Sequence, residues 1–166
     1  HGMYWKGGQF YECNVHVPLI FSCPGLIREG LHSKALVELG DVAPTILELI
    51  GLPVPQYMQT KSLAGILTGQ ADPDYHKDAV YAEYYYSALC SNPVYATMYF
   101  DGRYKMIVHH DDPISEFYDL ENDPNEFDNL WNNPDYKDLQ FEYYQKCFNH
   151  AIMINEDTVL GQKAKY

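Results

Sequence analysis

Tyr95-Ala96-Thr97-Met98-Tyr99-Phe100-Asp101-Gly102-Arg103-Tyr104-Lys105-Met106-Ile107-Val108-His109 decides the architecture of the second half of the chain. Two runs rich in aromatic and branched residues flank Asp101-Gly102, and that pattern predicts a β-hairpin. Upstream, Val80–Tyr86 is a β-prone run dense in tyrosine. Downstream, Glu116-Phe117-Tyr118-Asp119-Leu120 is a further strand candidate. Together these predict an antiparallel sheet of about four strands. From Asp135 to about Ile154, the residues Leu139, Tyr143, Cys147 and Ala151 recur every four positions, which predicts an amphipathic helix able to cover the sheet. The residues through Lys163 and Lys165 read as a loosely packed tail. Residues 71–166 are therefore expected to form a small α+β unit.

The first seventy residues have a different grammar. Residues 1–14 are rich in Gly and aromatics without periodicity and read as a loop. Val15–Ser22 is a near-continuous apolar run and predicts a strand buried on both faces. Cys23-Pro24-Gly25 turns the chain, and Ala35–Leu39 is short and apolar. Asp41 opens the clearest helix, with its carboxylate placed to cap the first amides, Pro44 in the first turn and Gly51 just past the end. Ser62–Leu67 predicts a short helical turn closed by Gly69. Residues 1–70 thus read as the end of a larger α/β unit, since a lone strand, loop and helix cannot close its own layers.

Composition narrows the function. The net charge of −12 repels a phosphate backbone, so nucleic acid is excluded as a partner. No stretch reaches the roughly 18–20 uninterrupted apolar residues of a membrane helix. The sequence opens on His1-Gly2, where a signal peptide is neither present nor excluded, so localisation stays undecided. Between Asp111 and Glu142 there are eleven Asp or Glu and one base, Lys137, which reads as a solvated face. Cys13, Cys23, Cys90 and Cys147 form no C-x-x-C; they read as buried thiols, with a Cys13–Cys23 bridge left open.

Several phrases in fixed order resemble the sulfatase family of the alkaline-phosphatase-like superfamily. His1-Gly2 is similar to the end of S-D-[HN]-G. Trp5-Lys6-Gly7, Tyr11-Glu12 and Val17-Pro18-Leu19-Ile20 are similar to G-K-x-x-x-Y-E…V-P-L-I. Asp41-Val42-Ala43-Pro44-Thr45-Ile46-Leu47 resembles D-[LIV]-x-P-T-[LI]-L, and Ser62-Leu63 with Leu67-Thr68-Gly69 resembles G-x-S-L…L-x-G. Arg103-Tyr104-Lys105, Glu116–Leu120, Asp123-Pro124-Asn125-Glu126 and Asn129-Leu130 match R-x-K…E-L-Y-D-L-x-x-D-P-x-E-x-x-N-L. Thr60-Lys61 stands where the family has Gly-Arg, and Phe117 where it has Leu. The resemblance runs to about residue 135.

That resemblance implies the C-terminal portion of a sulfate-ester hydrolase: residues 1–70 as the end of the α/β catalytic domain and 71–166 as the C-terminal α+β subdomain. It implies a formylglycine nucleophile made from C/S-x-P-x-R and a calcium ion held largely by carboxylates. Neither Cys23-Pro24 nor Ser91-Asn92-Pro93 completes that motif, because no arginine follows at the required place. The nucleophile and the calcium-binding Asp cluster are thus expected from a catalytic segment outside this chain, which alone is expected to be inactive. Two site residues carry over. Lys6 matches the lysine that binds the substrate sulfate, a compact cation suited to a sulfuryl oxygen. His1 matches the residue after the metal-binding Asp, and as one imidazole it cannot hold calcium, which takes six to eight oxygens. The expected substrate is a small-molecule or carbohydrate sulfate ester.

Other residues invite weaker readings. His16 reads as packing or pairing. His109-His110 cannot chelate together, because neighbours on a strand face opposite ways, and both read as exposed at a strand end. The tyrosines at 84–86 read as sheet packing, and Asp119 and Asp123-Pro124 as turn chemistry. Two alternatives stay open: a phosphonate or phosphodiester hydrolase of the same superfamily, and a non-catalytic structural or carbohydrate-binding module.

Overall fold

The computed structural model describes residues 1–3, 8–85, 95–110 and 112–160, with 155–160 described by backbone alone. The elements run α1 (Glu12–Val15), α2 (Val42–Leu49), α3 (Ala64–Leu67), β1 (Val80–Tyr85), β2 (Tyr95–Phe100), β3 (Tyr104–His110), β4 (Glu116–Asp119) and α4 (Lys137–Leu160), with single 3-10 turns before α2 and α4. The strands form one four-stranded sheet in the order β1-β2-β3-β4, antiparallel across β2–β3–β4. Sheet and closing helix are those read from the sequence.

The hairpin departs from expectation by one residue. Phe100 pairs with Lys105, and the Asp101 amide donates weakly to the Tyr104 carbonyl at 3.4 Å. The central pair is therefore Gly102-Arg103. The Asp101 carboxylate is used inside the turn, accepting from the amides of Arg103 (3.0 Å) and Tyr104 (2.8 Å). Gly102 sits at φ +96°, the left-handed first position of a type II′ turn, where glycine meets no steric penalty. Gly102→Ala is expected to cost about 1 kcal/mol or more, read as a lower urea midpoint at unchanged slope.

Cα proximity divides the chain into two compact units. The first joins residues 1–18 to 81–148, and the second joins 19–80 to 149–166. These differ from the 1–70 and 71–166 segments read from composition. His1, Phe10 and Glu12 go with the sheet because the groups that bind them, described below, lie on β3 and in the loop after β4.

In the first unit β2 and β3 are buried on both faces. One face carries Tyr99, Tyr104, Met106 and Phe117, as the alternation and register require. Tyr143 of α4 meets the rings of Tyr99, Tyr104 and Phe117 at 5.4–5.7 Å in edge-to-face geometry, and its hydroxyl donates to the Asp101 carboxylate. Within this unit the four-residue stripe holds: Tyr143 and Cys147 are buried and Leu139 is half-buried. Burial pushes the Cys147 thiol up to about 12. Cys13 and Cys23 correct the buried-thiol reading, since both are free and exposed; Cys90 lies outside the described residues.

In the second unit Asp41 does not cap α2 as the sequence suggests. Its fully buried carboxylate turns back, accepting from the Glu38 amide (2.8 Å), the Lys61 amide (3.1 Å) and Lys77 Nζ (2.9 Å). Thr45 continues the tie, donating to the Asp41 carbonyl and accepting from the Leu63 amide at 2.8 Å. Gly51 (φ +75°) and Gly69 (φ +76°) close α2 and α3 as read.

The predicted strand Val15–Ser22 is not one. Val15 ends α1, residues 16–23 are irregular, and Ile20 is 86% exposed. An apolar run reports a tendency to burial, whereas a strand exists only through a laddered neighbour, and no described strand pairs here.

Candidate functional site

The other face of the sheet carries a buried ammonium and its carboxylates. Lys105 alternates onto it and is fully buried. Its Nζ donates to Glu126 Oε1 at 2.7 Å, Glu12 Oε1 at 2.6 Å and the Phe10 carbonyl at 3.1 Å. The second oxygen of Glu126 accepts from the Glu12 amide at 2.7 Å. Three pieces of chain are thus held on one ammonium: the start of α1, the middle of β3 and the loop after β4. An ammonium has three N–H groups, and each has an acceptor here. Glu126 reaches this position from φ +56°, a left-handed conformation uncommon for a residue with a Cβ.

Beside the ammonium lies an aromatic and carboxylate wall. Glu116 accepts from the Tyr118 hydroxyl at 2.6 Å and lies 2.7 Å from His109 Nε2. Burial alone would raise the Glu116 carboxyl, but the bonds from His109, Tyr118 and Tyr11 hold it below its usual value. Burial raises the Tyr11 hydroxyl, and the nearby Glu116 charge raises it further. Tyr11 meets Tyr118 edge-on at 6.2 Å.

His1 lies against this wall. Its ring stacks on Tyr11 at 3.8 Å and 8° between planes, and Phe127 tilts against it at 5.6 Å. His1 Nε2 is 2.9 Å from the Asn125 carbonyl oxygen. Lys6 lies outside the described residues, so the two predicted site residues are not placed relative to each other. Among the described residues no three His, Cys, Asp or Glu side chains converge to hold a metal. His1 by itself offers one nitrogen where calcium takes six to eight oxygens, so these residues do not fit a calcium site.

The remaining candidates resolve by their partners. His16 Nδ1 pairs with Glu12 Oε2 at 3.0 Å while staying exposed, in accord with the pairing expected of it. His109 and His110 do face opposite ways; His110 is exposed as expected, with Nε2 2.9 Å from Thr97 Oγ1, whereas His109 is half-buried against Glu116. Tyr81 packs on Tyr99 and Tyr85 on Tyr95, in accord with sheet packing; Tyr86 lies outside the described residues.

The acidic run needs correction, because parts of it turn inward. Asp119 is buried and takes a two-pronged bond from Arg103, at 3.1 Å from Nε and 2.8 Å from Nη2. Asn122 and the Glu121 amide fill its remaining lone pairs. Asn129 joins the strand edge to the following turn, accepting from the Phe117 and Trp131 amides and donating to the Ser115 carbonyl. Arg103 holds the Asp119 carboxyl below its usual value, with Asn122 adding to the effect. A carboxylate whose folded value is depressed stabilises the fold fully above its unfolded value and loses that contribution as pH falls through the folded one. The melting temperature of Asp119→Asn is therefore expected to trail the natural chain most at neutral pH. The gap should close as pH drops below about 4, and a gap constant with pH would contradict the pairing.

These ties fall on the phrases that carried the resemblance, and comparison with known proteins agrees. The family model for N-sulphoglucosamine sulphohydrolase, C-terminal, matches residues 1–151. An N-acetylglucosamine-6-O-sulfatase of Bacteroides thetaiotaomicron is 34% identical over 150 residues, covering 87% of this chain and 26% of the relative. A crystal structure of a putative sulfatase from Bacteroides thetaiotaomicron superposes with a TM-score of 0.62 at 27% identity, over 70% of this chain and 25% of that one. A phosphonate monoester hydrolase from Silicibacter pomeroyi shares the fold, with a TM-score of 0.61 at 20% identity over 72% of this chain and 26% of that one. The chain spans about a quarter to a third of the length of the curated relatives it matches. No described helix is long and apolar enough to cross a membrane. On the match across residues 1–151, the chain belongs to the N-sulphoglucosamine sulphohydrolase, C-terminal, family and corresponds to the C-terminal region of the sulfatases it resembles.

Proposed function

We propose that this chain serves, within its parent protein, as the scaffold and sulfate-binding portion of an enzyme that hydrolyses sulfate esters of carbohydrates. Family membership over residues 1–151 carries the reading. The reacting nucleophile, a formylglycine made from C/S-x-P-x-R, is not encoded in these residues, and calcium is held by carboxylates outside them. This chain's contribution is Lys6, whose ammonium meets the sulfate, and His1, beside the metal.

The carbohydrate class rests on the relative named for N-acetylglucosamine 6-O-sulfate, which supports a sulfated sugar over a simple aryl sulfate as the natural substrate. The likeness to a phosphonate monoester hydrolase is one of fold and gives phosphoryl chemistry no equal support. The test is a comparison of the intact parent on a sulfated amino sugar and on a phosphonate monoester. Sulfate release with kcat/KM at least tenfold higher on the sugar sulfate is expected. Preferential hydrolysis of the phosphonate would overturn the proposal.

A further inference from the structure

We infer that Tyr11 and the Asp123–Glu126 loop are a positioning device for His1, fixing its ring plane and its tautomer with the hydrogen on Nε2 and the lone pair on Nδ1. The inference rests on the proposed role of His1 at the reacting centre and names residues that the reading had not used.

The first step is elementary hydrogen-bond chemistry. The Asn125 carbonyl oxygen can only accept, and it lies 2.9 Å from His1 Nε2. Nε2 must then be the donor, and in a neutral imidazole that leaves the lone pair on Nδ1. A histidine serving a metal or accepting a proton commonly gives its other N–H to a backbone carbonyl or carboxylate, which settles the tautomer and orients the ring.

The second step concerns the plane. A stack at 3.8 Å and 8° holds His1 face-on to Tyr11. Tyr11 is fixed in turn, since its ring meets Tyr118 edge-on at 6.2 Å and Tyr118 is itself bonded to Glu116. Glu116 is anchored by His109 and Tyr118. The carbonyl is equally well placed. Asn125 precedes Glu126, which is buried on Lys105, and Asp123 closes the same loop by accepting from the Asp128 amide at 2.8 Å. Both constraints on an exposed histidine therefore lead back to the sheet.

Tyr11 acts through His1 and so is a positioning residue. The chain labelled with nitrogen-15 at histidine gives the test, with long-range proton–nitrogen spectra assigning the His1 tautomer above the pH at which the ring is neutral. The expected result is an Nε2–H form in the natural chain and in Tyr11→Phe, which keeps the stack. Tyr11→Leu should give a mixture of tautomers with faster exchange. An Nδ1–H form in the natural chain overturns the inference without reference to any variant, so a Tyr11→Leu that fails to fold leaves it falsifiable. Identical spectra for folded Tyr11→Leu and the natural chain also overturn the role of Tyr11. A parent without sulfatase activity but with the Nε2–H form defeats the functional reading alone; an active parent with the other tautomer defeats this inference alone.

Discussion

Lys105→Met is expected to destabilise the chain by about 3–5 kcal/mol. The size follows from what is left behind. Methionine fills most of the space, so little of the effect is a cavity. Glu12 and Glu126 lose their shared cation, and Glu126 is buried with its charge unanswered. A buried carboxylate with no cation must be protonated or moved into water, and either change detaches α1 or the Asp123–Glu126 loop from β3. Urea unfolding of the single variants and of Lys105→Met with Glu126→Gln separates the causes. Recovery of a large part of the loss in the double variant identifies the stranded charge, whereas simple addition of the two effects would contradict it.

In the intact parent, Lys6→Ala is expected to lower kcat/KM for a sulfate ester by about 10²–10³, leaving the urea midpoint unchanged. The sulfate carries full negative charge in the ground state, and the displacement shifts charge onto the leaving oxygen. An ammonium aimed at a sulfuryl oxygen counts for more as water is excluded around it. Lys6→Arg keeps the charge but replaces a compact donor by a broad planar one, so partial recovery is expected. A loss confined to KM would mark Lys6 as holding ground state and transition state equally; a loss of fold would mark it as structural.

Local signals are legible in the sequence, and pairings across the chain are not. The hairpin was legible because Asp-Gly between two β-prone runs is a short-range signal. The register slipped by one residue because Asp101 uses its carboxylate on the amides of Arg103 and Tyr104, giving Gly102 the first central place. The α4 stripe was legible because Tyr143 and Cys147 repeat at helical spacing on a single buried face. Val15–Ser22 was misread because an apolar run says nothing about a neighbouring strand. The acidic run is solvated as expected at Asp112, Glu121, Asp128, Asp135, Asp138 and Glu142, but composition is blind to pairing, and Asp119 and Glu126 are drawn inward by Arg103 and Lys105.

The same limit governs the site. His1 and Lys6 were legible only through their place in a resemblance. Tyr11 and Asn125, which bear on His1, are separated in sequence by most of the chain, and no spacing rule joins them. A signal was nevertheless present in the phrases themselves. Tyr11-Glu12, Arg103-x-Lys105 and Asp123-Pro124-Asn125-Glu126 are three separate fragments in the sequence and meet around one ammonium in the fold. The resemblance therefore records a binding network as well as a catalytic history.

The division of labour between this chain and its parent is open to one direct measurement. The purified 166-residue chain, supplied with calcium and a chromogenic aryl sulfate, is predicted to release no product above the buffer rate. Sustained release that follows the chain through chromatography, and is abolished by Lys6→Ala, would show that the reacting centre lies within these residues and would contradict the account.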